Sequence, residues 1–402
     1  MPVFIKKEIM KQISIFLFAM GLMPIFLHVA SFQDLLTYKS DRKRQEESQH
    51  ALTFKLETWR RLGDNLTVYA KAKCFQENFN LPLYCKHFSY YDQFQFSRKE
   101  NLLTPDVEKQ FSKIITVNRI SDLADNLSCA EPILFEVHFL TETPWLYNYS
   151  REHPVYEKKL KELIRPLEVI GPLPKPEGVI TVAVHVRKGG GFDMPLASAQ
   201  EYQLDDKPIK GFYLIKNSLA GSYTDIWPLN WPAGPKFFEA LAAYLVKKNR
   251  FSDYIWPIKF PPDQYYIDQI KKLAELLPGK NLLIYIFTDD PKPELIVQRY
   301  SKALESFPRI IFSYRQAGNH HTKNVLHDLF SLTQCDCLIS ASSSFGFIAQ
   351  LLGDHSIIMF PIRAIALPDK IIINKVGIVT VVNALDRNKR KISYGETQIK
   401  IK

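Results

Sequence analysis
The segment Gly178-Val-Ile-Thr-Val-Ala-Val-His-Val-Arg-Lys-Gly-Gly-Gly-Phe-Asp193 decides the reading of this chain. Val179 to Val186 is an apolar, β-branched run, the pattern of a strand buried on both faces. Arg187 and Lys188 follow at once, then Gly189, Gly190 and Gly191. In an open α/β sheet, ligands sit at the carboxyl ends of the strands. Glycines there admit a phosphate close to the backbone, and Arg binds phosphate oxygens bidentately. The segment reads either as a site for a phosphorylated, nucleotide-linked ligand or as a strand ending in a basic loop.

The sequence around it alternates. Helical patterns over Gln264–Leu277 and Asn324–Thr333 and around Phe345–Leu352 are interleaved with strand patterns. The strands are Asn281–Phe287, Arg309–Tyr314, Asp336–Ala341, His355–Phe360 and Val376–Val382. Such alternation predicts a parallel, doubly wound sheet. Upstream, Ile133–Leu140 reads as a strand and Val155–Arg165 as a helix ended by Pro166. Trp59–Leu66 reads as a turn carrying Gly63, before a helix over Thr67–Glu77. Gly171 to Gly178 is rich in Pro and Gly and reads as an interdomain linker. The expected division is residues 1–30 as signal peptide or membrane anchor, 31–50 as stem, 51–175 as an N-terminal domain and 176–402 as a C-terminal domain.

A chain of 402 residues suits about two domains, and 46% hydrophobic residues supply their cores. The net charge of +10 suits anionic ligands or a membrane surface, but the basic residues are dispersed. No zinc-finger spacing, RNP motif or arginine tract occurs, so nucleic acid is not an expected partner. The five cysteines match no metal-site spacing, and Cys335-Asp-Cys337 lacks the redox-pair interval. Buried free thiols are expected for most. Lys6, Lys7 and Lys11 precede a mainly apolar run, Ile13 to Ala30. That run predicts membrane association, with export after cleavage or a Golgi-type anchor as alternatives.

Four further loops bear on chemistry. Phe287-Thr-Asp-Asp-Pro291 offers Asp289 and Asp290 at a strand end, for ribose or base contacts or as a helix cap. Ser340-Ala-Ser-Ser-Ser-Phe-Gly346 places hydroxyls and amides before a helix, suited to a pyrophosphate or to ordinary capping. Asn319-His-His321 with His327 and Asp328 invites a metal reading, but no third ligand has diagnostic spacing, and hydrogen-bonding histidines are the expectation. Gly63 and Asn65 sit where a helix start can offer amides to an anion or sugar.

Taken together and in order, these segments resemble the fucosyltransferases that share a His-x-Arg motif. They are most similar to the α1,2 group and more distantly to the α1,6- and protein O-fucosyltransferases. Arg61-Leu-Gly-Asp-Asn65 resembles the Gly-Asn loop, and Val184-His-Val-Arg-Lys188 the phosphate motif. Tyr265-Tyr266 with Tyr285 to Pro291, then Asp328 to Cys335 with Ser342 to Phe345, resemble the remaining two. The resemblance implies a GT-B-like fold of two Rossmann-like domains. It implies an inverting glycosyltransferase that moves fucose from GDP-fucose to a glycan hydroxyl and needs no metal. The N-terminal half, with Gly63 and Asn65, would shape the acceptor side. Arg187 would hold the β-phosphate, with His185 and Lys188 beside it. Asp289 and Asp290 would contact the nucleoside, and Ser343, Ser344 and Phe345 would line the pyrophosphate.

Two positions depart from that pattern. Lys188 stands where the family has a second Arg, and Gly190 where it has Asp. Lys keeps the charge but not the fork geometry. The nearest carboxylate in the loop, Asp193, is the expected base, unless it only caps the turn. Another nucleotide-sugar donor, or an inactive nucleotide-sugar- or glycan-binding protein, are the competing expectations.

Overall fold
The computed structural model describes residues 49–56, 61–117, 120–138, 143–188, 258, 261–316, 319, 323–366, 371–382 and 391–398. The expected anchor, the expected stem up to residue 48, the three glycines, Asp193, His320 and His321 lie outside these residues. Among the described residues no helix is long and apolar enough to cross a membrane.

The chain forms two compact units, Met1–Leu167 and Glu168–Lys402. The expected boundary lay a few residues later, after residue 175. The shift has a physical cause: the Pro/Gly segment is bonded into the second unit. Leu173 N donates to Gln334 Oε1 at 2.8 Å, Lys175 Nζ pairs with Asp336 Oδ1 at 2.5 Å, and Tyr285 OH donates to Pro174 O. Leu167 N, by contrast, donates to Gln93 O within the first unit at 2.8 Å.

The first unit carries β1 (Ala51–Phe54), α1 (Leu62–Phe79), β2 (Tyr84–Cys85), β3 (Asn101–Leu102), α2 (Pro105–Glu108), β4 (Lys113–Val117), α3 (Ile120–Ala124), β5 (Ile133–Val137), α4 (Thr143–Glu152) and α5 (Pro154–Leu163). Strands β1, β5 and β4 form a parallel sheet in that order, and β2 and β3 pair parallel beside it. Helix α1 is central: 15 of its 18 residues are buried, so it has no solvated face. It begins five residues earlier than its sequence pattern suggests. Gly63 and Asn65 are weak helix formers, but burial of Leu62 and Leu66 outweighs that preference. Lys73 and Glu100, each under 9% exposed, pair at 2.6 Å, and Tyr69 OH donates to the same carboxylate oxygen.

The second unit contains β6 (Val179–Val186), α6 (Asp263–Leu276), β7 (Asn281–Thr288), α7 (Pro293–Ala303), β8 (Ile310–Tyr314), α8 (Val325–Leu332), β9 (Cys337–Ser340), α9 (Ser344–Leu352), β10 (Ile357–Ala366), β11 (Ile371–Val382) and β12 (Lys391–Gln398). Its sheet runs β12-β11-β10-β9-β6-β7-β8. Strands β6 to β10 are parallel; β11 and β12 extend the sheet antiparallel. The chain moves outward from β6 through β7 to β8, then returns to build β9 and β10 on the other side. The order therefore reverses between β6 and β9, the place where such sheets open a crevice.

Helices lie on both faces. Val182, Val184 and Val186 join Ile284, Ile286 and Ile339 in one core with Tyr266, Ile270 and Leu273 of α6 and Ile296 and Tyr300 of α7. The opposite face receives α9: Gly346 lies against Ser340 and His185, and Gln350 Nε2 donates to Ser340 Oγ at 3.1 Å. Helix α6 ends before Gly279, whose φ of +79° is the left-handed conformation that glycine tolerates there.

Candidate functional site
The switch point collects most of the residues singled out in the sequence. In the register of β6 with β9, His185 pairs with Ser340, so the turn Arg187–Lys188 leaves the sheet beside the loop Ala341–Ser343. The β7 loop with Asp289 and Asp290 flanks the other side of β6, where Val186 pairs with Thr288.

His185 lies near the end of β6, beside Ser340 of β9. Its Nδ1 is buried and has no hydrogen-bond partner among the described residues. Burial first, and then the positive charge of Arg187, bring its pKa from 6.5 to about 4, against an opposing pull from Asp289. The ring is therefore neutral at pH 7. Orphaned buried N–H groups are rarer than orphaned acceptors, so with no acceptor at Nδ1 among the described residues the neutral ring is favoured to carry its proton on Nε2. Phe345 stands over it, with ring centroids 5.4 Å apart. Tyr266, on α6, is fully buried, and its hydroxyl has no hydrogen-bond partner among the described residues.

Ser343 caps α9, its Oγ accepting from Gly346 N at 3.1 Å. The amide of Phe345 has no carbonyl to bond within the helix, and the helix start carries partial positive charge. Gly346 permits the close approach. A Cβ there would stand 3.1 Å from Ser340 Cβ and 3.3 Å from His185 Nδ1.

The acidic pair is held by backbone. Asp289 Oδ1 accepts from Lys188 N at 2.7 Å, tying the β6 and β7 loops together. Asp290 Oδ1 accepts from Lys292 N at 2.8 Å, and Asp290 N donates to Thr288 Oγ1 at 3.1 Å, so Asp290 shapes the entry to α7. Lys188 Nζ pairs with Asp263 Oδ1 at 2.8 Å, a partner that sequence reading did not supply. Its one signal was an Asp directly after Pro261-Pro262, the pattern of a helix start.

Asp328, on α8, pairs with Arg315. Burial raises its carboxyl to about 6 although Arg315 pulls it down. Asn319 Nδ2 donates to Arg315 O at 2.7 Å. His327 is half-exposed beside Glu168 at 3.7 Å. Among the described residues no cluster of three or more His, Cys, Asp or Glu has the placement to hold a metal ion. Four of the five cysteines are buried free thiols, and Cys129 is exposed.

In the first unit, Gly63 and Asn65 occupy the first turn of α1. Arg61 precedes it in extended conformation with no side-chain cap bond. Asn65 is 5% exposed, and its Oδ1 is buried without a partner among the described residues. Thr67 Oγ1 donates to Gly63 O at 2.7 Å. Asn65 is also the first residue of an Asn-x-Thr sequon, which its burial closes to a glycan in the folded unit.

No protein-family model and no curated protein matches this chain. Solved structures similar to it include POFUT1 in complex with GDP-fucose, at 10% identity and TM-score 0.38, covering 78% of this chain and 96% of that one. Arabidopsis thaliana FUT1, a variant in complex with GDP, gives 13% identity and TM-score 0.44, covering 83% and 74%. NodZ α-1,6-fucosyltransferase soaked with GDP-fucose gives 11% and 0.31, covering 78% and 93%. Likeness at this level carries no argument about activity, which rests on the residues above.

Proposed function
We propose that this chain is a glycosyltransferase of the fucosyltransferase kind, with GDP-fucose as its donor, a glycan hydroxyl as its acceptor and a GT-B-like fold. The observation that carries the reading is the convergence at the β6–β9 switch point. A neutral imidazole (His185), an arginine just past the end of β6 (Arg187) and the start of α9 with its serines lie at neighbouring element ends. That combination suits a diphosphate: a guanidinium and helix amides for its oxygens, and a ring N–H that carries no charge of its own.

In the reaction, the acceptor oxygen forms a bond to the sugar's anomeric carbon as the bond to the phosphate oxygen breaks. The electron pair leaves with GDP, and the configuration inverts. Arg187 and the α9 start stabilise charge growing on the leaving diphosphate, so no metal is called for. The acceptor proton goes to a base such as Asp193 or to the diphosphate. Residues 1–30 tether the enzyme to a membrane in this reading.

Thermal shift with GDP-, UDP- and ADP-sugars, followed by transfer from labelled GDP-fucose to a glycan mixture, tests the proposal. Stabilisation by GDP and GDP-fucose with labelled glycan product supports it, and no shift with any nucleotide refutes it. One observation favours a second reading, an inactive nucleotide-sugar-binding protein. Lys188 and Asp289, both in the donor loops, are already engaged with protein groups. Binding without transfer or donor hydrolysis would select that reading.

A further inference from the structure
The sequence offers Lys188 as a second cation for the donor phosphates, next to Arg187. The structure gives its ammonium a different partner. Lys188 Nζ lies 2.8 Å from Asp263 Oδ1, at the first turn of α6. The carboxylate is itself fixed on three sides. Tyr300 OH, from the buried face of α7, donates to Oδ1 at 3.0 Å, and Arg299 Nε donates to Oδ2 at 2.9 Å. A start-of-helix carboxylate is also favoured by the helix dipole. Burial raises the Asp263 pKa, but the ion pairs and the Tyr300 bond outweigh it, so the group is held below its ordinary value. Lys188 is meanwhile held at its backbone, because its N–H donates to Asp289 at 2.7 Å. One residue thus joins the end of β6 to the β7 loop by its main chain, and to α6 and α7 by its side chain.

We propose that Asp263 is a positioning residue of this site. Through Lys188 it fixes the exit of β6, and with it the direction in which Arg187 leaves the sheet; Lys188 serves as an internal cation and not as a phosphate ligand. The inference rests on the nucleotide-diphosphate reading above.

The sign of two charge changes separates positioning from direct electrostatics. Asp263→Asn makes the site more positive, and Lys188→Met makes it less positive. If Lys188 touched phosphate, the Asn variant would bind GDP as well as the wild type or better. In a positioning role both variants bind more weakly, because both release the same turn. Titration calorimetry with GDP on the full chain measures this. About tenfold weaker binding is expected for each single variant, with no further loss in the double variant, since coupled residues are non-additive. Wild-type or tighter affinity in Asp263→Asn overturns the inference.

Should Asp263→Asn fail to fold, the double variant, which leaves Lys188 absent and Asp263 uncharged, still decides the matter. Equal affinity for it and for Lys188→Met supports positioning. Tighter binding by the double variant than by Lys188→Met, from removal of an unpaired anion, overturns it. A wild type that binds no GDP refutes the parent reading instead, a result distinct from wild-type binding that Asp263→Asn leaves intact.

Discussion
Gly346→Ala tests the crevice with a single methyl group. The added Cβ would lie 3.1 Å from Ser340 Cβ, 3.3 Å from His185 Nδ1 and 3.4 Å from Ala341 O. These contacts are a few tenths of an ångström tighter than ordinary packing. Ser340 is fully buried in β9 and Ala341 O belongs to the backbone, so neither moves easily. The His185 ring is the softest neighbour and is the group displaced. Overpacking costs about 1–3 kcal/mol, while Ala gains up to about 1 kcal/mol over Gly within a helix. The net is about 0–3 kcal/mol, a few degrees in melting temperature for a unit of this size. The effect on ligand is larger. A hydrogen bond to a charged group contributes about 1.5–3 kcal/mol, so a turned His185 weakens GDP by roughly tenfold to a hundredfold. Differential scanning fluorimetry and calorimetry on the same samples read both quantities. A folded Gly346→Ala protein with wild-type GDP affinity would refute the placement of His185 in the donor site.

Arg187→Ala is expected to keep the melting temperature and lose GDP binding and transfer; near-normal turnover in the purified variant sinks its assignment. For His185 the unfolded chain binds a proton near pH 6.5 and the folded chain only near 4, so stability is complete above pH 6.5 and declines as pH falls toward 4. The gap corresponds to at most about 3 kcal/mol, less for the solvent that reaches the ring. Urea melts across that range should show the decline, and a His185→Gln variant with the same acid limb would contradict it. If Asp193 is the base, Asp193→Asn leaves GDP affinity unchanged and lowers kcat by about 10²–10⁴-fold; wild-type kcat assigns the proton to another group. A chain beginning at Ser31 should leave the membrane fraction and still bind GDP, and failure to fold would place residues 1–30 in the core.

Local pattern was enough for the second unit's frame. The run Val179–Val186 and the alternation after Gln264 specify buried parallel strands and amphipathic helices, because periods of two and 3.6 are written residue by residue. The same pattern placed Arg187, Asp289, Asp290 and Ser343 at strand ends or helix starts. It did not find β12, whose Lys391–Gln398 sequence is largely polar, or α7, which follows a Pro-rich turn. It also started α1 too late, since the propensities of Gly63 and Asn65 are local and the burial that overrides them is not.

What the sequence determined alone was therefore the kind of element and the chemistry each loop has to offer. Only the tertiary structure decided how those groups are used. Lys188 meets Asp263 and Asp289, residues distant in sequence, because β6 lies beside β7 with α6 packed against both. His185 is held neutral by desolvation where α9 packs against it at Gly346, and by the charge of Arg187. Pairing and desolvation depend on which distant surfaces come together, and no stretch of sequence carries that information by itself.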